Sequence, residues 1–247
     1  MKTSERERQI IALLSERSFI SVQELSELLY TSPSSIRRDL SRLEAVGIVK
    51  RNYGGVVAVA DHGGSAPVSI RSEVNKTVKR TIAKKASALL SDGMTVLLDD
   101  STSAAAMVEF LAERRDISVF TNNLETAANA TAYGIRTYLL GGALPSDSAT
   151  VTVGRFALDM LRSIHADICF FSATALSEEG EIFDSTEQHD LLRREMLLRS
   201  EASVFLCDGS KFLRTSMYRV AALSEIDYLV SDQPVPDKIS RGNVKIL

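Results

Sequence analysis

The chain has 247 residues, of which 45% are hydrophobic and 25% are charged, and its formal net charge is −3. This composition is typical of globular proteins, and the length accommodates one large domain or two unequal ones. Because no apolar run approaches the roughly 18 residues of a membrane span and no signal-peptide core is present, we expect a cytoplasmic protein with no membrane partner. The isolated Cys169 and Cys207 and the three histidines lack metal-ligand spacing, which predicts neither a disulfide nor a metal site.

Three helices are predicted at the N-terminus. Residues 5–16 have helical apolar spacing, and Ser21-Val-Gln-Glu24 is a capping box that opens a second helix ending near Tyr30. After a turn of about three residues, Ser32 as N-cap and Pro33 at the first position open a third helix over residues 33–46. Two helices joined by so tight a turn are typical of a helix-turn-helix.

The third helix has two dissimilar faces. Ile36, Leu40 and Leu43 form an apolar stripe, and the opposite face carries small hydroxyls between arginines. Short side chains permit close approach, and guanidinium groups bind guanine edges or phosphates, so this face suits DNA. A solvated amphipathic helix is the alternative.

A β-hairpin is predicted directly after the third helix. Gly47 suits the helix C-cap, and the runs 48–51 and 56–59 flank the glycine-containing loop 52–55. Residues 1–58 carry nine Lys or Arg against seven Asp or Glu, whereas the remainder carries twenty against twenty-five. Three helices and a basic hairpin indicate a winged helix-turn-helix over residues 1–59. Its candidate DNA contacts are Ser32, Ser34, Ser35, Arg37, Arg38, Ser41, Arg42, Lys50, Arg51, Asn52 and Tyr53.

A second, α/β domain is predicted over residues 73–247, after a linker of glycine-containing and proline-containing sequence at 60–72. It opens with a long helix over roughly residues 73–91. Short apolar runs then alternate with helical segments, which indicates a mostly parallel sheet covered on both faces. The runs are 94–98, 117–120, 136–140, 166–171, 203–207, 228–230 and 244–247.

Polar clusters follow several of these runs. Ligands of open α/β sheets bind outside the carboxyl ends of the strands, and helix N-termini there favour anions. The alternative is that these side chains only cap helices. The candidate effector-binding residues are Asp99, Asp100, Ser101, Thr102, Ser103, Thr121, Asn122, Gly141, Gly142, Ser172, Thr174 and Lys211.

The motifs resemble those of one family along nearly the whole chain. In the N-terminal part, Arg8, Ser21–Leu29, Ser35–Leu40, Leu43, Gly47 and Arg51 to Gly55 resemble the DeoR family of bacterial transcriptional regulators. Further on, the family's D-x-G-T-T, T-N, L-G-G and D-x-S-K-F motifs correspond to Asp99–Ser103, Thr121-Asn122, Leu140–Gly142 and Asp208–Phe212.

This resemblance implies a sensor domain similar to ribose-5-phosphate isomerase and coenzyme A transferase folds. It also implies a repressor of a carbohydrate-metabolism operon that binds operator DNA and a phosphorylated sugar or related metabolite, with no catalysis and no cofactor. Since one helix-turn-helix reads one half-site, we expect a homo-oligomer, either a dimer or a tetramer.

Three departures from the family pattern bear on the effector pocket. Ser101 stands where glycine is usual, Ser172–Leu176 replaces a glycine-bearing segment, and Arg193 replaces a common lysine. The serine-rich loops resemble the fucose-operon regulators of the family. Two alternatives stay open: a sugar-phosphate isomerase or transferase with Asp184 or Glu187 as general base, and a regulator with a non-functional sensor.

Overall fold

The computed structural model describes residues 5–16, 19–45, 49–52, 54–58, 74–145 and 148–247. The chain divides into two compact units, Met1–Lys76 and Thr77–Leu247. The predicted C-cap Gly47, the linker 60–72 and the candidate DNA contact Tyr53 lie outside the described residues.

The first unit contains three helices and a small antiparallel sheet. The helices are α1 (Glu5–Glu16), α2 (Val22–Leu28) and α3 (Pro33–Ala45). The strands are β1 (Ile20–Ser21), β2 (Val49–Asn52) and β3 (Gly55–Ala58), in the order β1-β3-β2. The predicted helices and hairpin are confirmed, and β1 adds a third strand to the hairpin.

Local contacts explain where these elements begin. The Ser21 hydroxyl accepts from the Glu24 backbone N–H at 3.1 Å, and the Ser32 hydroxyl accepts from the Ser35 N–H at 3.4 Å. Gly54, between β2 and β3, has a φ of +80°, which glycine adopts without steric strain. Fully buried apolar side chains from all three helices and from β3 form one core, which holds the unit together: Ile10, Leu25, Ile36, Leu40 and Val56.

The second unit is built on a seven-stranded sheet in which every pair of neighbours is parallel. Its order is β13-β12-β10-β7-β4-β5-β6. The strands are β4 (Thr95–Leu98), β5 (Ser118–Thr121), β6 (Arg136–Leu139), β7 (Ala166–Phe171), β10 (Ser200–Cys207), β12 (Tyr228–Ser231) and β13 (Lys245–Ile246). All seven apolar runs predicted as strands therefore belong to one sheet.

The helices of this unit are α4 (Lys76–Ala86), α5 (Thr102–Ala105), α6 (Val108–Leu111), α7 (Leu124–Ala132), α8 (Arg155–Arg162) and α9 (Glu187–Leu198). The predicted long helix over 73–91 was too long at its end. It stops at Ala86 and continues as a 3-10 turn over Ser87–Leu89, and Leu90 is already extended. No helix in the described part of the chain is long and apolar enough to cross a membrane.

A second sheet of three antiparallel strands was not expected from the sequence. It consists of β8 (Ala175–Leu176), β9 (Glu181–Asp184) and β11 (Tyr218–Ala222), in the order β11-β9-β8. Helix α9 follows β9 directly and packs against β11, β10 and β7. This connection places the side chains of α9 beside the large parallel sheet.

The large sheet has a topological switch point between β4 and β7. From β4 the chain proceeds outward through β5 and β6, and then returns to the other side of β4 for β7, β10, β12 and β13. The loops that leave the carboxyl ends of β4 and β7 lie at this point, which is the usual ligand position in such sheets.

Candidate functional site

Helix α3 presents the predicted polar face. Ile36, Leu40 and Leu43 are buried, whereas Arg37 and Arg38 are exposed. Among the described residues, neither arginine has an ion-pair partner, so both guanidinium groups are available to a polyanion. The remaining exposed members of this face are Ser32, Ser34, Ser41 and Arg42.

The acidic residue next to these arginines is turned into the protein. Asp39 is 1% exposed, and its carboxylate accepts from Arg6 of α1 at 2.5 Å. Arg42 lies 3.5 Å from Asp39 and 3.4 Å from Glu7, also on α1. Asp39 therefore ties α3 to α1 and does not screen Arg37 and Arg38, while Arg42 is partly engaged within the protein.

The hairpin is held against the C-terminal half of α3. The Arg51 guanidinium donates to the Ser41 hydroxyl at 2.9 Å, and the Arg51 backbone N–H donates to the Glu44 carboxylate at 3.0 Å. Lys50 is exposed one residue earlier on β2. These contacts place the basic hairpin beside the polar face of α3.

In the second unit, a buried ionic cluster lies at the switch point. Arg193 of α9 is 4% exposed, and its guanidinium donates to Asp99 at 2.7 Å, to Asp100 at 2.9 Å, and to Asp184 at the end of β9. Asp99 and Asp100 follow β4 and are also buried. One guanidinium thus joins the loop after β4 to the small sheet and to α9.

The loops after β4 and β7 also contact each other through Asp99. Its carboxylate accepts from the backbone N–H of Ser101 at 3.0 Å and from that of Ser172 at 3.2 Å. Burial raises the pKa of Asp99 above its ordinary value, although Arg193 opposes the shift. Burial lowers the affinity of Arg193 for its proton, but the charges of Asp184 and Asp100 outweigh this, and the pKa of Arg193 is raised.

His189 extends the cluster toward solvent. Its Nδ1 lies 2.9 Å from the Asp100 carboxylate, and its side chain is 18% exposed. Burial opposes protonation of the ring, but the hydrogen bond and charge of Asp100 dominate, so the pKa of His189 is raised. His189 and Arg193 are four residues apart on α9, which places both on the side of the helix that faces Asp100.

Lys211 contributes a cation on the β10 side of the same cluster. Its ammonium donates to the Ser172 hydroxyl at 2.7 Å and lies 3.5 Å from Asp208. The Ser172 hydroxyl in turn donates to the Leu206 carbonyl at 2.6 Å. Burial raises the pKa of Asp208, but Lys211 and Ser210 outweigh it and the net shift is downward.

A neighbouring group lies at the ends of β5 and β6. The Asn122 amide donates to the Thr152 carbonyl at 3.1 Å, and its buried Oδ1 has no hydrogen-bond partner among the described residues. Asn123 caps α7 and donates to the Asp100 carbonyl at 3.2 Å, which links this group to the cluster. A Cβ on Gly142 would lie 2.5 Å from the Val153 carbonyl oxygen, so the close approach there requires glycine.

The predicted effector residues therefore separate into two sets. The first set forms one connected network with Arg193: Asp99, Asp100, Ser101, Ser172, Thr174 through Asp184, and Lys211. The second set lies beside that network: Ser103 is buried in α5 next to the half-buried Thr102, and Thr121, Asn122, Gly141 and Gly142 lie at the ends of β5 and β6, where Asn123 connects to the Asp100 carbonyl.

Sequence reasoning missed His189 and gave Arg193 only as a departure from a family pattern. The i, i+4 spacing of two basic side chains on α9 was a usable signal. Ser101 stands where the family usually has glycine, but its position does not require one. Its φ is −73°, which suits any residue, and its hydroxyl accepts from the Ala104 N–H as the N-cap of α5.

Fold and site together define a class of protein. It has a winged helix-turn-helix unit in one chain with an α/β unit that carries a buried polar cluster at the carboxyl ends of its strands. Residues 74–233 match the DeoR C terminal sensor domain family, and residues 6–62 match the DeoR-like helix-turn-helix domain family. The chain belongs to the DeoR family of transcriptional regulators.

Relatives align over almost the whole chain. The putative aga operon transcriptional repressor of Escherichia coli O157:H7 is 31% identical over 95% of this chain and 88% of its own length. The L-fucose operon activator of Haemophilus influenzae is 30% identical, covering 96% of this chain and 94% of the relative. The transcriptional repressor GlcR of Bacillus subtilis is 31% identical, covering 100% and 96%.

Solved structures resemble parts of the fold more distantly. Ribose 5-phosphate isomerase A from Methanocaldococcus jannaschii aligns with a TM-score of 0.42 and 19% identity, over 56% of this chain and 55% of that one. The translation initiation factor eIF-2B of Pyrococcus horikoshii aligns with a TM-score of 0.49 and 12% identity, over 91% and 86%.

Proposed function

We propose that this protein is a sequence-specific repressor of a carbohydrate-metabolism operon, acting in the cytoplasm, whose affinity for operator DNA changes when a small metabolite binds the second unit. The observation that carries the DNA-binding half is the exposed pair Arg37 and Arg38 on α3, beside the basic hairpin. In such modules the second helix of the motif enters the major groove. Ser32, Ser34, Ser35, Ser41, Arg42, Lys50, Arg51, Asn52 and Tyr53 are the further proposed contacts.

For the effector we propose a phosphorylated sugar or a closely related metabolite at the carboxyl ends of β4 and β7. Carboxylates accept hydrogen bonds from sugar hydroxyls, and we propose that these hydroxyls reach Asp99 and Asp100 by displacing part of the contacts that the buried carboxylates make within the protein. Three carboxylates around Arg193 make that end of the proposed site acidic. A phosphate group would therefore lie at Lys211, whose ammonium, beside Ser172, offers a charge-assisted hydrogen bond.

We assign no catalytic role to this proposed site. The Asp184 carboxylate accepts from Arg193, from the Thr174 hydroxyl at 3.1 Å and from the Ser185 N–H at 2.6 Å, so its oxygens are engaged as acceptors. Glu187 is exposed at the start of α9. Neither side chain is placed as a general base opposite an acid.

Fluorescence anisotropy tests the proposal. Operator fragments selected from random DNA would be titrated with the full chain, with and without pentose and hexose phosphates. The operator Kd should change with at least one sugar phosphate. Lys211→Met removes a charge-assisted hydrogen bond of about 1.5–3 kcal/mol and should weaken effector binding about 10- to 150-fold.

Lys238→Met is the matched control, since Lys238 is exposed on a loop after β12. If Lys211→Met and Lys238→Met titrate alike with an active sugar phosphate, Lys211 does not hold the phosphate. If DNA selection enriches no sequence, the DNA-reading half of the proposal fails.

A further inference from the structure

The outermost strand β6 is an open edge of the large sheet. Among the described strands it has β5 on one side and no strand on the other. The Leu140 N–H donates to the Thr121 carbonyl at 2.8 Å, and the parallel register pairs Tyr138 with Phe120. Backbone groups alternate in direction along a parallel ladder, so Tyr138 bonds toward β5 while Thr137 and Leu139 direct their N–H and C=O groups outward.

The C-terminal half of this edge is apolar. Tyr138 is 41% exposed and stacks on Phe120 with ring centroids 4.4 Å apart, and Leu139 on the opposite face is 39% exposed. In the same row of the sheet, Leu97 on β4 and Cys169 on β7 are fully buried. Burial of this face of the sheet therefore decreases from β4 toward β6, and the rings of Phe120 and Tyr138 are partly exposed.

Natural edges are usually protected by lysine, proline, a bulge or extreme shortness. The far edge, β13, has two residues and includes Lys245. Strand β6 has four residues in regular register, and its one charged side chain, the exposed Arg136, stands at its first position. The part of the strand from Thr137 to Leu139 carries no charge, proline or bulge and is a template for another strand.

The geometry of β6 points to a second copy of the same strand. Antiparallel pairing centred on Tyr138 sets Thr137 opposite Leu139 of the second copy and Leu139 opposite its Thr137, so all outward backbone groups find partners. Tyr138 then faces its own symmetry mate on one face, which continues the Phe120–Tyr138 stack across the dyad. Such a two-fold contact closes, whereas pairing of β6 with β13 would propagate without end.

We propose that two copies of this chain associate through antiparallel β6 strands centred on Tyr138, which joins their parallel sheets into one. The choice of a second copy rests in part on the proposed function, because an operator with two half-sites requires two reading helices. The other support, the complementarity of β6 to a second copy of itself in backbone hydrogen bonds and side chains, does not depend on DNA binding.

Cysteine crosslinking tests the register in the full chain. At the dyad the Cα atoms of a non-hydrogen-bonded pair lie about 4.5 Å apart, within the range of roughly 4.4–6.8 Å that a disulfide needs. Oxidised Tyr138→Cys should run as a covalent dimer on a non-reducing gel. The native Cys169 and Cys207 are fully buried and should leave the unsubstituted chain monomeric on that gel.

Arg136→Cys is the matched control on the same strand. Its symmetry mate would be displaced by four residues along the strand, about 13 Å, beyond the reach of a disulfide. Tyr133→Cys, on an exposed aromatic that follows α7, controls for collisional crosslinking. Equal crosslinking of the three variants, or none with Tyr138→Cys, overturns the proposal.

Sedimentation velocity without DNA supplies a second readout. The unsubstituted chain should sediment at twice its 27.0 kDa or more, and Tyr138→Lys should halve that mass because like charges meet at the dyad. Tyr133→Lys should leave it unchanged. A monomeric unsubstituted chain, or a Tyr138→Lys variant of unchanged mass, overturns the interface. The two proposals can fail separately. If Tyr138→Lys loses the dimer but the unsubstituted chain selects no DNA sequence, the interface is upheld and the proposed function is contradicted.

Discussion

At the scale of single residues, Arg193 pairs with three buried carboxylates of the second unit. Two of them, Asp99 and Asp100, follow β4 and lie 94 and 93 positions before Arg193 in the sequence. A guanidinium fork satisfies several acceptors at fixed angles, which a lysine ammonium does not. Arg193 therefore offsets charges that burial would otherwise make costly.

Removing this guanidinium should destabilise the fold. Arg193→Met leaves buried carboxylates without their cation, and loss of one partner from a buried pair costs about 3–5 kcal/mol. Urea unfolding followed by circular dichroism measures the change. Arg115→Met, at an exposed arginine paired with Asp92, should stay within about 0.5 kcal/mol. A loss below about 1 kcal/mol for Arg193→Met would contradict the role assigned to Arg193.

His189 should make stability depend on pH. Its pKa is raised in the folded state, so the stabilisation is fully present below the unfolded pKa of about 6.5 and is lost as pH rises through the folded pKa. The free energy of unfolding should therefore fall over this window in the unsubstituted chain. The fall should be smaller in His189→Gln.

His165→Gln is the control for that measurement, because His165 is exposed and pairs with Glu201 at the surface. Urea unfolding from about pH 6 to pH 8 would be compared among the three proteins. Identical pH slopes for the unsubstituted chain and His189→Gln would show that the contact with Asp100 does not favour the protonated ring.

At the scale of elements, α3 and the hairpin divide the proposed DNA contacts by kind. Arg38 projects from the face of α3 opposite the buried stripe, a position suited to base edges, and Lys50 lies on the hairpin, a position suited to phosphates. The Arg51–Ser41 hydrogen bond fixes the two elements relative to each other. Variants of Arg38 and of Lys50 should therefore change DNA binding in different ways, the first altering base preference and the second altering affinity for all sequences.

Arg38→Ala should cost about 1–3 kcal/mol of operator binding and relax the base preference, because a base contact carries sequence information. Lys50→Ala should weaken all sequences alike and reduce the slope of log K against log salt by about 0.9. Anisotropy titrations at several salt concentrations separate the two effects, with Arg115→Ala as a control. Unchanged binding by the Arg37→Ala/Arg38→Ala double variant would rule out α3 as the reading helix.

At the scale of the whole molecule, the proposal requires a coupling free energy between two units. An effector that changes operator affinity by some factor must have its own affinity changed by operator DNA by the same factor. Typical couplings of about 1–3 kcal/mol correspond to roughly 5- to 150-fold. We expect this reciprocity whichever way the effector acts.

Calorimetric titration of an active sugar phosphate into the free protein and into the protein–operator complex measures one factor. Anisotropy of operator binding with and without the sugar phosphate measures the other. The two factors should agree within error. A sugar phosphate that alters operator binding while its own affinity is unaffected by operator would act outside the proposed linkage.

Much of the fold was predictable because its signals are local. The caps at Ser21 and Ser32, the amphipathic stripe of α3 and the seven apolar runs depend on residues only a few positions apart. The small antiparallel sheet was missed because its pairing joins segments that are far apart in sequence. The run before Asp184 is strand-like, but β8 has only two residues, and the 3.0 Å ion pair between Glu181 of β9 and Arg219 of β11 joins positions 38 apart.

The candidate site was predicted in part. Polar residues after parallel strands share one edge, so Asp99, Ser172 and Lys211 were correctly expected to lie near one another. The order of the strands is not written in their composition, and it is this order that sets β4 beside β7. Their contacts with Arg193 and His189 therefore required the tertiary structure.

The sequence by itself determined the two-unit organisation of helices and parallel strands and the polar face of α3, because propensity, capping and periodicity act over a few residues. Only the tertiary structure decided that Asp39 turns inward away from Arg37 and Arg38, that Arg193 joins three distant aspartates, and that β6 is left as an open edge. These outcomes depend on which surfaces pack together, and packing minimises buried unpaired charge and exposed apolar area over the whole chain at once.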